Sequence, residues 1–180
     1  MKQRLIVEGK DAIVLANICA MRKLPPPTNY SKRTKFIKEF VFDGKGYDGA
    51  IEGFKKSLHE SDLQHLGIVV DADQKGANAR WDALCAILAN YFSSDKLKTI
   101  QLNKNGIVLK EETTPTVGIW IMPDNSSNGY LEHFVSEMIP NGDRSWVFTN
   151  EKVEELMKTC LLYTSPSPRD RTRSRMPSSA

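Results

Sequence analysis

The chain is poor in the features that announce a familiar chemistry. Its 180 residues hold three cysteines, Cys19, Cys85 and Cys160. That odd number, without metal-ligand spacing, argues against a disulfide framework and a structural zinc site. Cys19 and Cys85 fall in apolar helical patterns and read as core filling. His59, His65 and His133 show no ligand spacing either, and no Ser-His-Asp or Cys-His relay can be assembled from the sequence. A Gly-x-Gly-x-x-Gly turn and a phosphate loop are both missing, which counts against a nucleotide hydrolase on a Rossmann-like sheet. No apolar run reaches the roughly 20 residues that span a bilayer, and Lys2–Glu8 opens as a strand rather than as a secretory signal. A soluble, cytoplasmic protein without a membrane partner is expected.

A genuine excess of positive charge is also lacking. The formal net charge is +3, but Arg169, Arg171, Arg173 and Arg175 face one acid, Asp170, at the end of the chain. Without those five residues, acidic and basic side chains balance. The basic character belongs to the tail and does not argue for a broad nucleic-acid surface on the domain.

What is present is a chain long enough for one domain with a real core. Lys2–Glu8 reads as a strand, followed by a helix from Asp11 to about Arg22. Pro25-Pro26-Pro27 dictates an extended loop, because proline fixes its own backbone and restricts the residue before it. Phe36–Phe42 alternates apolar and charged residues and reads as a second strand. After Gly44-Lys45-Gly46, the spacing of Ala50, Ile51, Phe54 and Leu58 predicts a helix. Gly67–Asp71 is the most hydrophobic strand and suits the sheet centre, where both faces are covered. Trp81, Leu84, Cys85, Leu88 and Phe92 mark another helix, Ile107–Leu109 a short peripheral strand, and Val117–Met122 a strong strand ended by Pro123. Asp124–Gly129 is a loop, a helix begins around Tyr130, and Glu151–Lys158 is helical. Strands alternating with helices predict an α/β fold with a mainly parallel, Rossmann-like sheet.

Two strands end in carboxylates: Leu5-Ile6-Val7-Glu8-Gly9-Lys10-Asp11 and Gly67-Ile68-Val69-Val70-Asp71-Ala72-Asp73. In a parallel sheet such ends meet along one edge, where ligands bind. In extended backbone, residues two apart point the same way at about 6.5–7 Å, so Asp71 and Asp73 are expected side by side. Carboxylates so placed repel unless a proton or cation lies between them. Mg2+ suits them, needing one or two carboxylates plus water and substrate phosphates. The competing reading of Asp-x-Asp is a turn in which the acids satisfy loop amides. Gly9 permits a tight turn, and Lys10 is either a phosphate contact or simply exposed. Asp124 and Glu132, near the end of another strand, are accessory candidates; Glu132 near a helix start also suits the helix dipole.

The Glu8-Gly9-Lys10-Asp11 and Asp71-x-Asp73 pieces resemble the Toprim domain of topoisomerases, bacterial-type primases, overcoming-lysogenization-defect nucleases and ribosomal-RNA maturases. Ile119-Trp120-Ile121-Met122-Pro123-Asp124 and Gly129-Tyr130-Leu131-Glu132 look like a compact Toprim-related prokaryotic family of uncharacterised function. The resemblance covers about residues 2–158. It implies a Toprim-like fold and metal-dependent phosphodiester chemistry. Glu8 would be general acid/base or metal ligand, and Asp71 and Asp73 would hold Mg2+ or Mn2+. Lys75 stands where several Toprim enzymes carry a third acid, so the resemblance does not extend to that carboxylate of a two-metal site. Neither a topoisomerase tyrosine domain nor a primase zinc module is present. The expected function is a nuclease or nucleotidyl-transfer protein acting on DNA or RNA, in nucleic-acid processing or phage defence, with a homodimer as a further expectation. The alternative is a non-catalytic module on the same scaffold that binds nucleic acid or protein.

The segment from Cys160 has no periodicity. Leu161–Ser165 and Ser174–Ala180 resemble the translation of a transposase-type sequencing adapter. The expectation is therefore a domain over 1–159, incomplete at its carboxy-terminal side, and a non-native or disordered stretch over 160–180.

Overall fold

A computed structural model describes residues 2–9, 11–22, 40–112 and 115–159. Lys10, the triple-proline loop, the start of the expected second strand (36–39) and the tail from 160 lie outside the described residues. The chain divides into two compact units, Met1–Met138 and Ile139–Ala180.

The first unit is α/β. Its elements run β1 (Lys2–Val7), α1 (Asp11–Met21), β2 (Val41–Asp43), α2 (Tyr47–Leu58), β3 (Leu63–Asp71), α3 (Ala77–Leu88), α4 (Ser94–Thr99), β4 (Ile107–Leu109), β5 (Thr116–Met122) and α5 (Leu131–Glu137). The sheet order is β2-β1-β3-β5-β4. All neighbours are parallel except β4, which closes the edge antiparallel to β5. The strand read as most hydrophobic is the central one. It begins at Leu63, four residues before the apolar run, because Leu63 and Leu66 are buried while Gln64 and His65 are exposed.

Alternation along the strands sorts the core into two layers. Ile6, Leu66, Ile68, Val70, Val117, Ile119 and Ile121 pack with Phe54 and Leu58 of α2 and Trp81, Leu84 and Leu88 of α3. On the other face, Val7, Val69 and Met122 pack with Ala12, Leu15 and Ala16 of α1 and Leu131 of α5. Phe54, Leu84 and Leu88 are fully buried, each contributing about 1.5–3 kcal/mol relative to exposure.

The chain passes from β1 to β2 on one side and then crosses back to β3 on the other side of β1. The β1/β3 boundary is therefore the topological switch point, outside whose carboxyl ends open sheets bind ligands. Glu8 and Asp71 stand at those two ends.

In the second unit, α6 (Arg144–Thr159) begins seven residues before the expected Glu151. Asp143 Oδ1 accepts a hydrogen bond from Trp146 N–H at 2.9 Å and satisfies the first turn. Trp146, Val147, Phe148, Val153 and Met157 are exposed along it.

Candidate functional site

Register brings the two strand ends together. Val7 pairs with Val69, and Glu8 N–H donates to the Val69 carbonyl at 3.2 Å. The Glu8 carboxylate then reaches across, Oε2 accepting from Asp71 N–H at 3.1 Å. Gly9, at φ 88, takes the left-handed turn that lets the chain leave β1 and enter α1.

Asp71 lies on the α1/α5 side of the sheet by alternation with Val69. Its Oδ1 is buried and accepts no hydrogen bond from a described residue. Burial and the charges of Asp11, Glu8, Asp73 and Glu132 push its carboxyl up to about 7. Glu8 is also raised. Burial outweighs the Asp71 N–H bond and the Arg80 guanidinium, which pull the other way, and Asp73 and Asp11 add to the rise. Asp11, the first residue of α1, is raised by burial and by Glu132 in the first turn of α5. Glu8, Asp11, Asp71 and Glu132 thus share one field at the mouth of the sheet, and helix dipoles offset part of the repulsion at the two helix starts.

Asp73 is placed differently from the sequence expectation. Strand geometry ends at Asp71, and Asp73 adopts φ 52, so the two-residue alternation does not carry through. Its N–H donates to the Gly129 carbonyl at 3.0 Å, joining this loop to the one after β5. Its carboxylate is ion-paired with Arg80. Arg80 is itself almost fully buried, donates from Nε to the Asp71 carbonyl at 2.9 Å, and lies 3.8 Å from the centre of the Tyr47 ring.

Asp124 is a turn organiser. Oδ1 accepts from Ser126 N–H at 3.0 Å and Ser127 N–H at 2.7 Å, both serine hydroxyls add bonds, and Lys104 Nζ lies 3.3 Å from Oδ2. Burial opposes its ionisation, but these bonds prevail and hold the carboxyl well below the usual range. Beside it, fully buried Asn125 folds back on β5, exchanging bonds with Ile121 through its backbone N–H and its Oδ1.

Among the described residues, no three His, Cys, Asp or Glu side chains are gathered closely enough to hold a metal ion unaided. The donor chemistry that fits a cation is the Asp71 carboxylate, with one oxygen that accepts no hydrogen bond from a described residue and like charges around it, and Glu8 beside it. Water and substrate oxygens would complete such a shell.

Sequence reasoning did not single out Asp11, Arg80 or Tyr47. Asp11 follows Glu8 by three residues at the same strand end. Arg80 stands four and eight residues before Leu84 and Leu88, on the buried stripe of α3. A cation on that stripe requires a partner, and this spacing was the available signal.

Fold and site together define a Rossmann-like α/β protein with a cluster of acidic side chains at its switch point. The chain belongs to the family described as protein of unknown function DUF3226, matched over residues 2–173. No curated protein matches the chain, and no solved structure does. Among the described residues no helix is long and apolar enough to cross a membrane.

Proposed function

We propose that the crevice supports divalent-metal-dependent phosphodiester chemistry on a nucleic acid, as a nuclease or nucleotidyl-transfer site of Toprim-like kind. The observation that carries this reading is the pairing of Glu8 and Asp71 across the β1/β3 boundary, with Asp71 Oδ1 buried and accepting no bond from a described residue. Asp71 and Glu8 would hold Mg2+ or Mn2+, with water and substrate oxygens completing the shell. The ion would neutralise phosphate charge and activate a nucleophile.

The chain's own part follows from the geometry. Asp71 N–H orients Glu8 through Oε2, so Oε1 is the atom proposed to take or give a proton. Burial raises Glu8 towards the range useful for that exchange. Gly9 keeps the turn after β1 free of a side chain beside the crevice. The test is cleavage of end-labelled DNA and RNA with Mg2+ or Mn2+. Activity in the parent chain should fall at least 100-fold in Asp71→Asn, and cleavage unchanged in that variant overturns the assignment.

A second reading is a non-catalytic module that binds nucleic acid or protein on the same scaffold. The Asp73–Arg80 ion pair favours it, since it engages one of the three expected metal ligands. Retention of a labelled strand that is indifferent to divalent ions and to Asp71→Asn would select it.

A further inference from the structure

We propose that Arg80 is a positioning residue that fixes the Asp71-Ala72-Asp73 turn and removes Asp73 from the cation-binding set. This leaves Asp71 and Glu8 as the carboxylate pair, and it rests on the reading of the crevice given above. Three observations carry it. Arg80 is 5% exposed, whereas the Asp73 side chain retains 40% of its exposure. The buried guanidinium is therefore the fixed partner, and the carboxylate comes to it. The two bonds of Arg80 leave from different nitrogens, Nε to the Asp71 carbonyl and the terminal Nη2 to Asp73. A planar guanidinium presents donors in such a fixed fork, and a lysine ammonium does not. Finally, the Tyr47 ring lies against the guanidinium and defines where its plane sits.

The fork determines the fate of the Asp-x-Asp pair. Pinning the Asp71 carbonyl sets the direction of the strand end, which directs the Asp71 side chain to the α1/α5 side beside Glu8. Pinning Asp73 holds the left-handed residue two positions on, and the Asp73 N–H bond to Gly129 closes the turn. Releasing Asp73 to a cation would leave a buried guanidinium without its counter-ion, which is costly. The second acid of this motif therefore serves as an anchor while the first faces the ligand.

Two measurements on the full chain decide the matter. Amide hydrogen exchange of Ala72 and Asp73 should accelerate at least 10-fold in Arg80→Lys and in Asp73→Ala, while Ile68, Val70 and Ile119 keep their protection. Asp73→Ala breaks the same pair from its exposed side, and retained protection of Ile68, Val70 and Ile119 reports that each variant is folded. Unchanged exchange at the turn, or a uniform loss across the sheet, overturns the positioning role. Mn2+ affinity, read by electron paramagnetic resonance of the free ion, should change less than threefold in Asp73→Asn and fall at least 10-fold in Asp71→Asn. Equal losses in both variants would return Asp73 to the ligand set and overturn the proposal. A parent chain that binds no Mn2+ would defeat the metal reading instead, and exchange at the turn would still decide the role of Arg80.

Discussion

Burial of Asp71 among other acids sets how the fold should respond to pH. In the unfolded chain its carboxyl has the ordinary value of 3.8, and in the fold burial and its acidic neighbours raise it to about 7. Below pH 3.8 it is protonated in both states and contributes nothing. Between the two values the unfolded chain has released a proton that the fold retains, so stability falls as pH rises. Above pH 7 the fold carries the full penalty. Asp71→Asn removes it, so the variant should be more stable than the parent by about 2 kcal/mol at pH 8, after allowance for solvent screening. The advantage should shrink steadily towards pH 4. Denaturant unfolding at pH 4.5 and pH 8 checks this, and an advantage independent of pH would show that the raised carboxyl is not its cause. Asp124 is the contrasting acid. Its bonds to the Ser126–Ser127 turn hold it ionised, so it stabilises the loop across the neutral range and loses that contribution only in strong acid.

At the level of the element, the turn from β2 into α2 shows how local contacts override propensity. Replacing a helix glycine by alanine ordinarily gains about 1 kcal/mol. A Cβ on Gly49, inside α2, would lie 1.9 Å from the Gly44 carbonyl oxygen, so the backbone turn itself would have to move. Gly49→Ala should therefore destabilise the protein by about 2 kcal/mol or more. At Gly53, four residues on, the added carbon would meet the ring of Phe42, which is 46% exposed and free to swing. Gly53→Ala should be neutral or mildly stabilising, and thermal midpoints of the two variants side by side test the contrast. The same distinction explains what could be read from the sequence. β1, β3 and β5 were legible because their apolar runs serve buried strands, and the helix of Trp81, Leu84 and Leu88 because its stripe is wide. α4 was not, since Ser94–Thr99 buries only Leu97 and depends on Ser93 Oγ accepting from Lys96 N–H. Glu8 beside Asp71 followed from strand ends alone. The place of Asp73 did not, because a left-handed residue and an arginine on the next helix determine it.

For the molecule as a whole, the sheet order gathers four acids, Glu8, Asp11, Asp71 and Glu132, into one field at the switch point, while the remaining charged residues carry a net positive charge. A divalent ion that binds there binds the fold and not the unfolded chain, so it should raise the midpoint of thermal unfolding by mass action. At a concentration one hundred times its dissociation constant at pH 8, the gain is about 2.7 kcal/mol. For a chain of this size that corresponds to a rise of about 5–10 °C. At pH 5.5 the ion must displace a proton from Asp71, which with a carboxyl near 7 weakens apparent affinity about 30-fold and cuts the gain to about 0.8 kcal/mol. Mg2+ should therefore raise the midpoint strongly at pH 8 and only slightly at pH 5.5, and Asp71→Asn should abolish the difference. Differential scanning fluorimetry at the two pH values, with Mg2+ and with an equal ionic strength of NaCl, separates this effect from screening. A rise of equal size at both pH values, or one that survives in Asp71→Asn, would place the ion elsewhere on the molecule.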